Sequence, residues 1–161
     1  MTREIIGFLM ISLVAVIALL IWRSTRKRRS QQESVIIAPS PASSIGEHES
    51  FYVSTVLASN PLERVWAHGL AMRGKASLGI DVNGISVNRT GEASFLIPRA
   101  NIEVLGAASA TIDKGVERDG LTAISWRLGE TKVVTHFRFA KPEVRKDFEN
   151  KVSQLIGAQI G

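Results

Sequence analysis

The chain has 161 residues, which is enough for one domain with an appendage and too few for two ordinary domains with separate cores. Its formal net charge of +5 is unevenly divided: residues 1–46 hold six Lys/Arg and two Glu, or +4, and residues 47–161 hold 14 basic and 13 acidic residues, or +1. The larger part therefore has no general attraction for a polyanion, and we expect no nucleic-acid partner. The absence of cysteine excludes disulfides and thiolate metal sites and fits a reducing compartment.

The chain opens with an apolar run. Residues 5–22 contain no charge and no proline, and as a helix they would span about 27 Å, close to the roughly 30 Å of a bilayer's hydrocarbon core. Twelve of these 18 residues are Leu, Ile, Val or Phe, which favours insertion by roughly 4–7 kcal/mol. A cleaved signal peptide has a shorter apolar core that follows its charges, and a buried soluble helix has a polar face. The run therefore predicts an uncleaved, single-pass transmembrane helix.

Positive charge follows this run at once. Because cytoplasmic flanks are enriched in Lys and Arg, we expect the N-terminus outside the cell and the rest of the chain in the cytoplasm, attached to the cell membrane. An aromatic residue closes the run where a ring would occupy the interface, and the cations behind it can attract anionic headgroups of the inner leaflet. The residues expected to contact the membrane surface are Trp22, Arg23, Arg26, Lys27, Arg28 and Arg29.

A stretch rich in Ser and Glu, with Pro39 and Pro41, comes next. It lacks sustained periodicity, so the sequence predicts a flexible linker over residues 30–50, between the anchor of residues 1–29 and a domain of residues 51–161. Twenty-one flexible residues have a root-mean-square span of about 25 Å. The only apolar patch in it, residues 35–38, either packs on the edge of the domain or stays loose.

Short β-strands dominate the pattern after residue 50. Alternating apolar residues on both sides of Asn83-Gly84 predict a β-hairpin over residues 76–89, and Asn-Gly suits a type I′ turn. Along residues 121–128 the alternation places Ile124, Trp126 and Leu128 on one face. With the other runs the prediction is about seven strands; those runs are 51–57, 94–98, 101–107 and 131–139.

The period changes near the C-terminus. Residues 141–157 predict an amphipathic helix that begins at Pro142 and can end at Gly157. Its apolar stripe consists of Val144, Phe148, Val152, Leu155 and Ile156. A second, shorter helix is predicted over residues 61–72, because Asn60 precedes Pro61 and Glu63 follows three residues later, as in a capping box.

Seven strands followed by one amphipathic helix is the order of the pleckstrin-homology (PH) superfold, a bent sandwich or barrel that the last helix closes. The sequence also resembles the small membrane-anchored PH-like proteins of actinobacteria in FYVST, NPLERVWAHGL, a GI-containing hairpin, IPRANI and ISWRLG. This resemblance covers nearly the whole chain and implies a mainly β, PH-like domain behind a single transmembrane helix. It does not imply lipid recognition, since the Lys/Arg cluster of phosphoinositide-binding PH domains is missing from the hairpin at Asn83-Gly84. The nearest substitutes are Arg64, Arg73 and Lys75.

Residues for catalysis or metal binding do not cluster in the sequence. His48, His68 and His136 lack the spacing of a metal site, and His136 alternates with core residues, so we expect it to face solvent. No nucleophile elbow or phosphate-binding loop occurs. The acidic residues of TIDKGVERDG, residues 111–120, are too widely spaced for a calcium loop and indicate an exposed turn.

These patterns predict a protein that is not an enzyme and holds no cofactor or metal. We expect a binding or scaffold module at the cytoplasmic membrane face, with a protein or peptide partner that docks on a sheet edge or beside the C-terminal helix. The alternative is an accessory subunit of a membrane transport or export assembly, in which the transmembrane helix forms the contact.

Overall fold

The computed structural model describes residues 2–107 and 121–157, so the turn expected at residues 111–120 lies outside the described residues. The described part contains a long N-terminal helix, eight strands and a C-terminal helix. Their bounds are α1 (Thr2–Glu33), β1 (His48–Leu57), β2 (Asn60–Arg64), β3 (Gly74–Asp81), β4 (Gly84–Arg89), β5 (Phe95–Pro98), β6 (Ile102–Ala107), β7 (Leu121–Leu128), β8 (Thr131–Arg138) and α2 (Pro142–Gly157).

The strands form one antiparallel sheet in the order β5-β4-β3-β1-β8-β7-β6, with β2 attached to β1. Alternate residues point inward along each strand, which buries Ile124, Trp126 and Leu128 together, as predicted. Helix α2 closes this core with Phe148 and Val152, both fully buried. Burying such side chains stabilises the fold by about 1.5–3 kcal/mol each. The sheet and its closing helix confirm the mainly β, PH-like architecture.

The helix predicted at residues 61–72 is wrong. Residues 60–64 instead form β2, which pairs Arg64 with Val56 of β1, and this adds the eighth strand. A single 3-10 turn follows at Ala67–Gly69. Both His68 and Gly69 have positive φ angles, 54° and 71°, and two successive left-handed residues cannot continue an α-helix. The segment therefore crosses the end of the barrel as a loop.

The predicted hairpin forms, but its turn differs from the predicted type. Asp81 pairs with Gly84, so Val82 and Asn83 are the loop residues, and Asn83 does not have the positive φ that a type I′ turn needs. The Asp81 carboxylate Oδ1 accepts hydrogen bonds from the amides of Asn83, at 2.7 Å, and Gly84, at 3.2 Å. Gly84 has a φ of 146°, and a Cβ there would collide with the carbonyl oxygen of Ile97.

The stretch expected to be a flexible linker is packed on the domain. Helix α1 continues to Glu33, and Ile36 then enters the core with only 5% of its surface exposed. Further on, the carbonyl of Ser40 accepts a 2.7 Å hydrogen bond from the Leu96 amide. The Ser86 hydroxyl accepts hydrogen bonds from the amides of Ser43 and Ser44. The boundary expected at residue 51 falls inside β1. The segment differs from a free linker because its backbone finds partners along β3, β4 and β5.

Candidate functional site

The apolar part of α1 stands clear of the domain. No residue of its apolar window is buried, and the mean hydropathy of that window is 2.4. By length and composition α1 is one helix that can cross a membrane. Trp22, at the end of the apolar run, is 56% exposed.

The six residues expected at the membrane surface occupy the next two turns of α1. The Arg26 guanidinium lies 5.2 Å from the centre of the Trp22 ring, and Arg29 Nε donates a 2.8 Å hydrogen bond to Glu33 Oε1. Within the described residues this is the only ion pair that the cluster makes. The remaining cations, Arg23, Lys27 and Arg28, are exposed on the same two turns.

The end of α1 docks on the loop that crosses the barrel. Gln32 Oε1 accepts hydrogen bonds from the amides of Trp66, at 2.5 Å, and Ala67, at 3.3 Å. Glu33 Oε1 accepts a 3.3 Å hydrogen bond from the His68 amide. These contacts satisfy three successive backbone donors of the 3-10 turn, which have no partner inside so short a helix. The helix is thus joined to the domain by side chains as well as by the chain itself.

A buried chain of hydroxyl groups holds the same loop from inside the barrel. Trp126 Nε1 donates to Thr135 Oγ1 at 2.9 Å, Thr135 and Thr55 hydroxyls lie 2.8 Å apart, and Thr55 lies 2.7 Å from the Tyr52 hydroxyl. Tyr52 donates at 2.6 Å to the carbonyl of Leu70. Because each hydroxyl has a single hydrogen to donate and Tyr52 donates its own to Leu70, the four donors form one directed chain from β7 to the loop. Such chains strengthen their members.

Arg89 fixes the other side of the loop. Its Nη1 donates a 2.8 Å hydrogen bond to the carbonyl of Gly69, and its Nε and Nη2 donate to Ala93 at 3.0 and 2.7 Å. The guanidinium also lies 5.0 Å from the Tyr52 ring centre and 5.2 Å from that of Phe95. Burial lowers the pKa of Arg89, which still remains a cation. A rigid loop therefore receives the end of α1.

Two clefts border this junction. One, of about 920 Å³, lies between the end of α1 and β2, and Arg28, Leu62, Arg64 and Trp66 are among its walls. The other, of about 560 Å³, lies between α1 and the loop, with Trp22 and Arg26 on one side and Met72 on the other. Both are open and have mixed polar and apolar walls.

The three histidines lie apart, as their spacing indicated. His48 bonds to Asp147, and His68 Nε2 donates a 2.8 Å hydrogen bond to the carbonyl of Ile36. His136 is on the outer face of β8 but is half-buried rather than open to solvent, and burial lowers its pKa. In residues 2–107 and 121–157 no three His, Asp or Glu residues come together in a way that could hold a metal ion.

The sequence analysis missed the docking contacts. The predicted flexible linker includes Gln32 and Glu33, although these residues hold α1 on a loop more than 30 residues away in the sequence. Continuation of helix-forming residues from Arg23 to Glu33, without Gly or Pro, is the signal that could have shown the helix to extend past the basic cluster.

Comparison with known families agrees with this architecture. The model of the family described as bacterial PH domain-like matches residues 35–153, which is most of the chain and the whole of the sheet. The chain belongs to the bacterial PH domain-like family. The match begins at residue 35, so the packed segment before β1 belongs to the PH-like domain. It does not distinguish an actinobacterial subgroup. A search of curated proteins found no match.

Proposed function

We propose that α1 anchors this PH-like domain in the cell membrane and that the domain is a non-enzymatic binding module at the cytoplasmic face. The observation that carries the proposal is the continuous helix from Thr2 to Glu33 whose last residues dock on the domain. A flexible linker would be enough to keep a domain near the membrane. Docking instead gives it one orientation relative to the anchor.

The orientation follows from charge. The charged side chains before the apolar run are Arg3 and Glu4, whereas five cations follow the run within seven residues. Loops with such an excess of Lys and Arg stay in the cytoplasm. The N-terminus is therefore outside, and the PH-like domain faces the anionic inner leaflet.

The docked helix also sets the distance to the membrane. Glu33 lies eleven residues after Trp22, or about 16 Å along the helix axis. With Trp22 at the interface, the loop that contacts Glu33 lies within about 16 Å of it. This is closer than the span of about 25 Å that a flexible linker would allow.

The open edge of β6 is the surface proposed for a protein or peptide partner. Among residues 2–107 and 121–157, β6 ends the sheet and pairs on one side only, with β7, and Val104 on it is 59% exposed. At the other end of the sheet the segment before β1 already occupies part of β5, where Ser40 accepts the Leu96 amide. Unpaired backbone donors and acceptors on an edge can add an extended peptide as a further strand.

Crosslinking in intact membranes tests this function. A photoreactive residue at Val104 should capture a protein, while the same residue at Val82, an equally apolar position that is 80% exposed at the hairpin tip, should not. Capture of lipid alone at both positions would contradict the proposal that a protein or peptide binds at β6. Separately, alkaline phosphatase fused after Gly161 should be inactive, and activity would place the domain outside the cell.

One observation favours a second candidate. The span is exposed along its whole apolar length, so it can pack against helices of a multi-span protein. Photoreactive residues between Ile6 and Ile21 that captured such a protein, with none captured at Val104, would favour an accessory subunit of a transport or export assembly.

A further inference from the structure

We propose that the smaller cleft, between α1 and the loop of residues 66–72, binds the phosphate headgroup of an anionic phospholipid, and this rests on the proposed insertion of α1. The cleft measures about 560 Å³, within the range of pockets that hold small ligands. Its position beside the last residue of the apolar run makes a lipid of the same leaflet its nearest ligand.

The helical wall of the cleft is a single stripe. Trp22, Arg26, Arg29 and Glu33 follow one another at intervals of three or four residues, so they share one face of α1. Trp66, Gly69 and Met72 form the opposite wall. Because Gln32 and Glu33 fix the loop to this face, both walls are held in place before a ligand arrives.

Charge within the cleft favours an anion at Arg26. Arg29 is balanced by its 2.8 Å contact with Glu33, and it also lies in the field of Glu92. Glu33 in turn accepts from the His68 amide. Arg26 makes no ion pair within the described residues, and its guanidinium lies 5.2 Å from the centre of the Trp22 ring. It is therefore the cation that remains for a phosphate.

The cleft also has apolar walls for the upper part of the acyl chains. Trp22 ends the hydrophobic span, and Met72, on the opposite wall, has 48% of its surface exposed. A phospholipid has the same arrangement, with a phosphate above and apolar chains below. The larger cleft fits less well because its walls begin at Arg28, about 9 Å farther along the axis than Trp22.

The experiment uses the full chain reconstituted in vesicles that contain a photoactivatable phosphatidylglycerol. We expect crosslinks between this lipid and the 66–72 loop, and fewer with a matched phosphatidylcholine probe. Arg26→Gln should reduce capture at the loop about tenfold, since it removes the charged hydrogen-bond donor proposed to hold the phosphate. Arg23→Gln removes the same charge from outside the cleft and should have little effect. Met72→Glu, which places a carboxylate at the cleft, should also reduce capture.

Four results would overturn the lipid site. Equal losses with Arg23→Gln and Arg26→Gln would show general attraction to the surface, and unchanged capture with Met72→Glu would place the lipid elsewhere. Competition by millimolar inorganic phosphate would assign the cleft to a free anion. Extraction of the chain by alkaline carbonate tests α1 separately: a chain that is retained but shows no loop crosslinks refutes the lipid site alone, whereas a chain that is extracted refutes the anchor.

Discussion

His48 on β1 and Asp147 on α2 are joined by a 2.8 Å hydrogen bond between Nε2 and Oδ2. The other ring nitrogen of His48 lies 3.2 Å from the carbonyl of Leu78, so both neighbours are acceptors. A neutral ring donates to one of them and a protonated ring donates to both. His48 also packs against Phe148 with ring centres 5.7 Å apart. The pair thus holds the closing helix on the barrel.

Loss of this pair should weaken the domain at neutral pH but not in acid. Hydrogen bonds from His48 and then Lys151 lower the pKa of Asp147, so its contribution to stability is present above its ordinary pKa of about 4 and is lost as pH falls through the lowered folded value. We expect Asp147→Asn to lower the unfolding temperature by a few degrees at about pH 7. The two proteins should converge well below about pH 4.

Thermal unfolding followed by near-ultraviolet circular dichroism measures this difference. Glu130→Gln, which removes an exposed carboxylate in the turn between β7 and β8, is the control and should leave the unfolding temperature unchanged. A deficit of Asp147→Asn that stayed constant into acid would contradict the role of the ionised Asp147 carboxylate.

Tyr52 predicts an alkaline limit to stability. Burial raises the pKa of its phenol to about 12, whereas an unfolded tyrosine ionises near its ordinary value of 10. As pH rises from about 10 to about 12, the unfolded state loses a proton that the folded state keeps, so the free energy of unfolding falls. Because Tyr52 is the single tyrosine of the chain, tyrosinate absorbance should report one ionisation that coincides with unfolding. Tyr52→Phe should remove this alkaline dependence, and ionisation near pH 10 in the folded protein would contradict it.

Thr135 is the centre of the hydroxyl chain. Thr135→Val keeps the shape but leaves Trp126 Nε1 without its acceptor and the Thr55 hydroxyl without one neighbour, so we expect a loss of about 1–3 kcal/mol in the free energy of unfolding. Thr135→Ser keeps the hydroxyl, so we expect it to lose only the part of the free energy of unfolding that the buried methyl group contributes. Denaturant unfolding of both variants measures it. An unchanged free energy of unfolding in Thr135→Val would show that the hydroxyl contacts do not matter at this position.

Sequence patterns predicted the parts of the fold that depend on local periodicity. The hairpin at residues 76–89 and α2 follow from apolar spacings of two and of three to four residues. The turn type was wrong because the register also depends on β5, where the Ile97 carbonyl approaches Gly84 too closely for any side chain. The strand β2 was missed for a similar reason, since its pairing with Val56 is tertiary and all its residues are exposed.

The junction could be predicted only in part. The apolar run and its cations can be recognised from composition. Docking, however, depends on the backbone amides of Trp66, Ala67 and His68, and the sequence does not indicate which backbone amides need a partner. The hydroxyl chain had a weak signal, because Thr135 occupies a core position between Val133 and Phe137 in the alternation of β8. A polar residue on a buried face needs a partner, although the sequence does not say which.

Gln32 should control how firmly the domain is held. Gln32→Ala removes the acceptor of the Trp66 and Ala67 amides, so we expect faster hydrogen exchange at these two residues, by about fivefold for each kcal/mol lost. Gln31→Ala is the control, since Gln31 lines the larger cleft and makes no hydrogen bond with the domain among the described contacts. Equal exchange in both variants would show that Gln32 does not fix the loop.

A nitroxide scan along α1 in reconstituted vesicles tests the central claim most directly, because it reports both insertion and docking. Labels from Ile6 to Ile21 should be accessible to oxygen and shielded from a water-soluble relaxation agent, and labels from Arg23 to Arg28 should show the reverse. Docking is read from a second pair of labels, at Gln31 and Val82, because both side chains are exposed and neither makes a docking contact. A docked helix has one position relative to the domain, so this pair should give one narrow distance distribution. Access of the water-soluble agent along the whole helix, or a broad distribution between Gln31 and Val82, would contradict a docked membrane anchor.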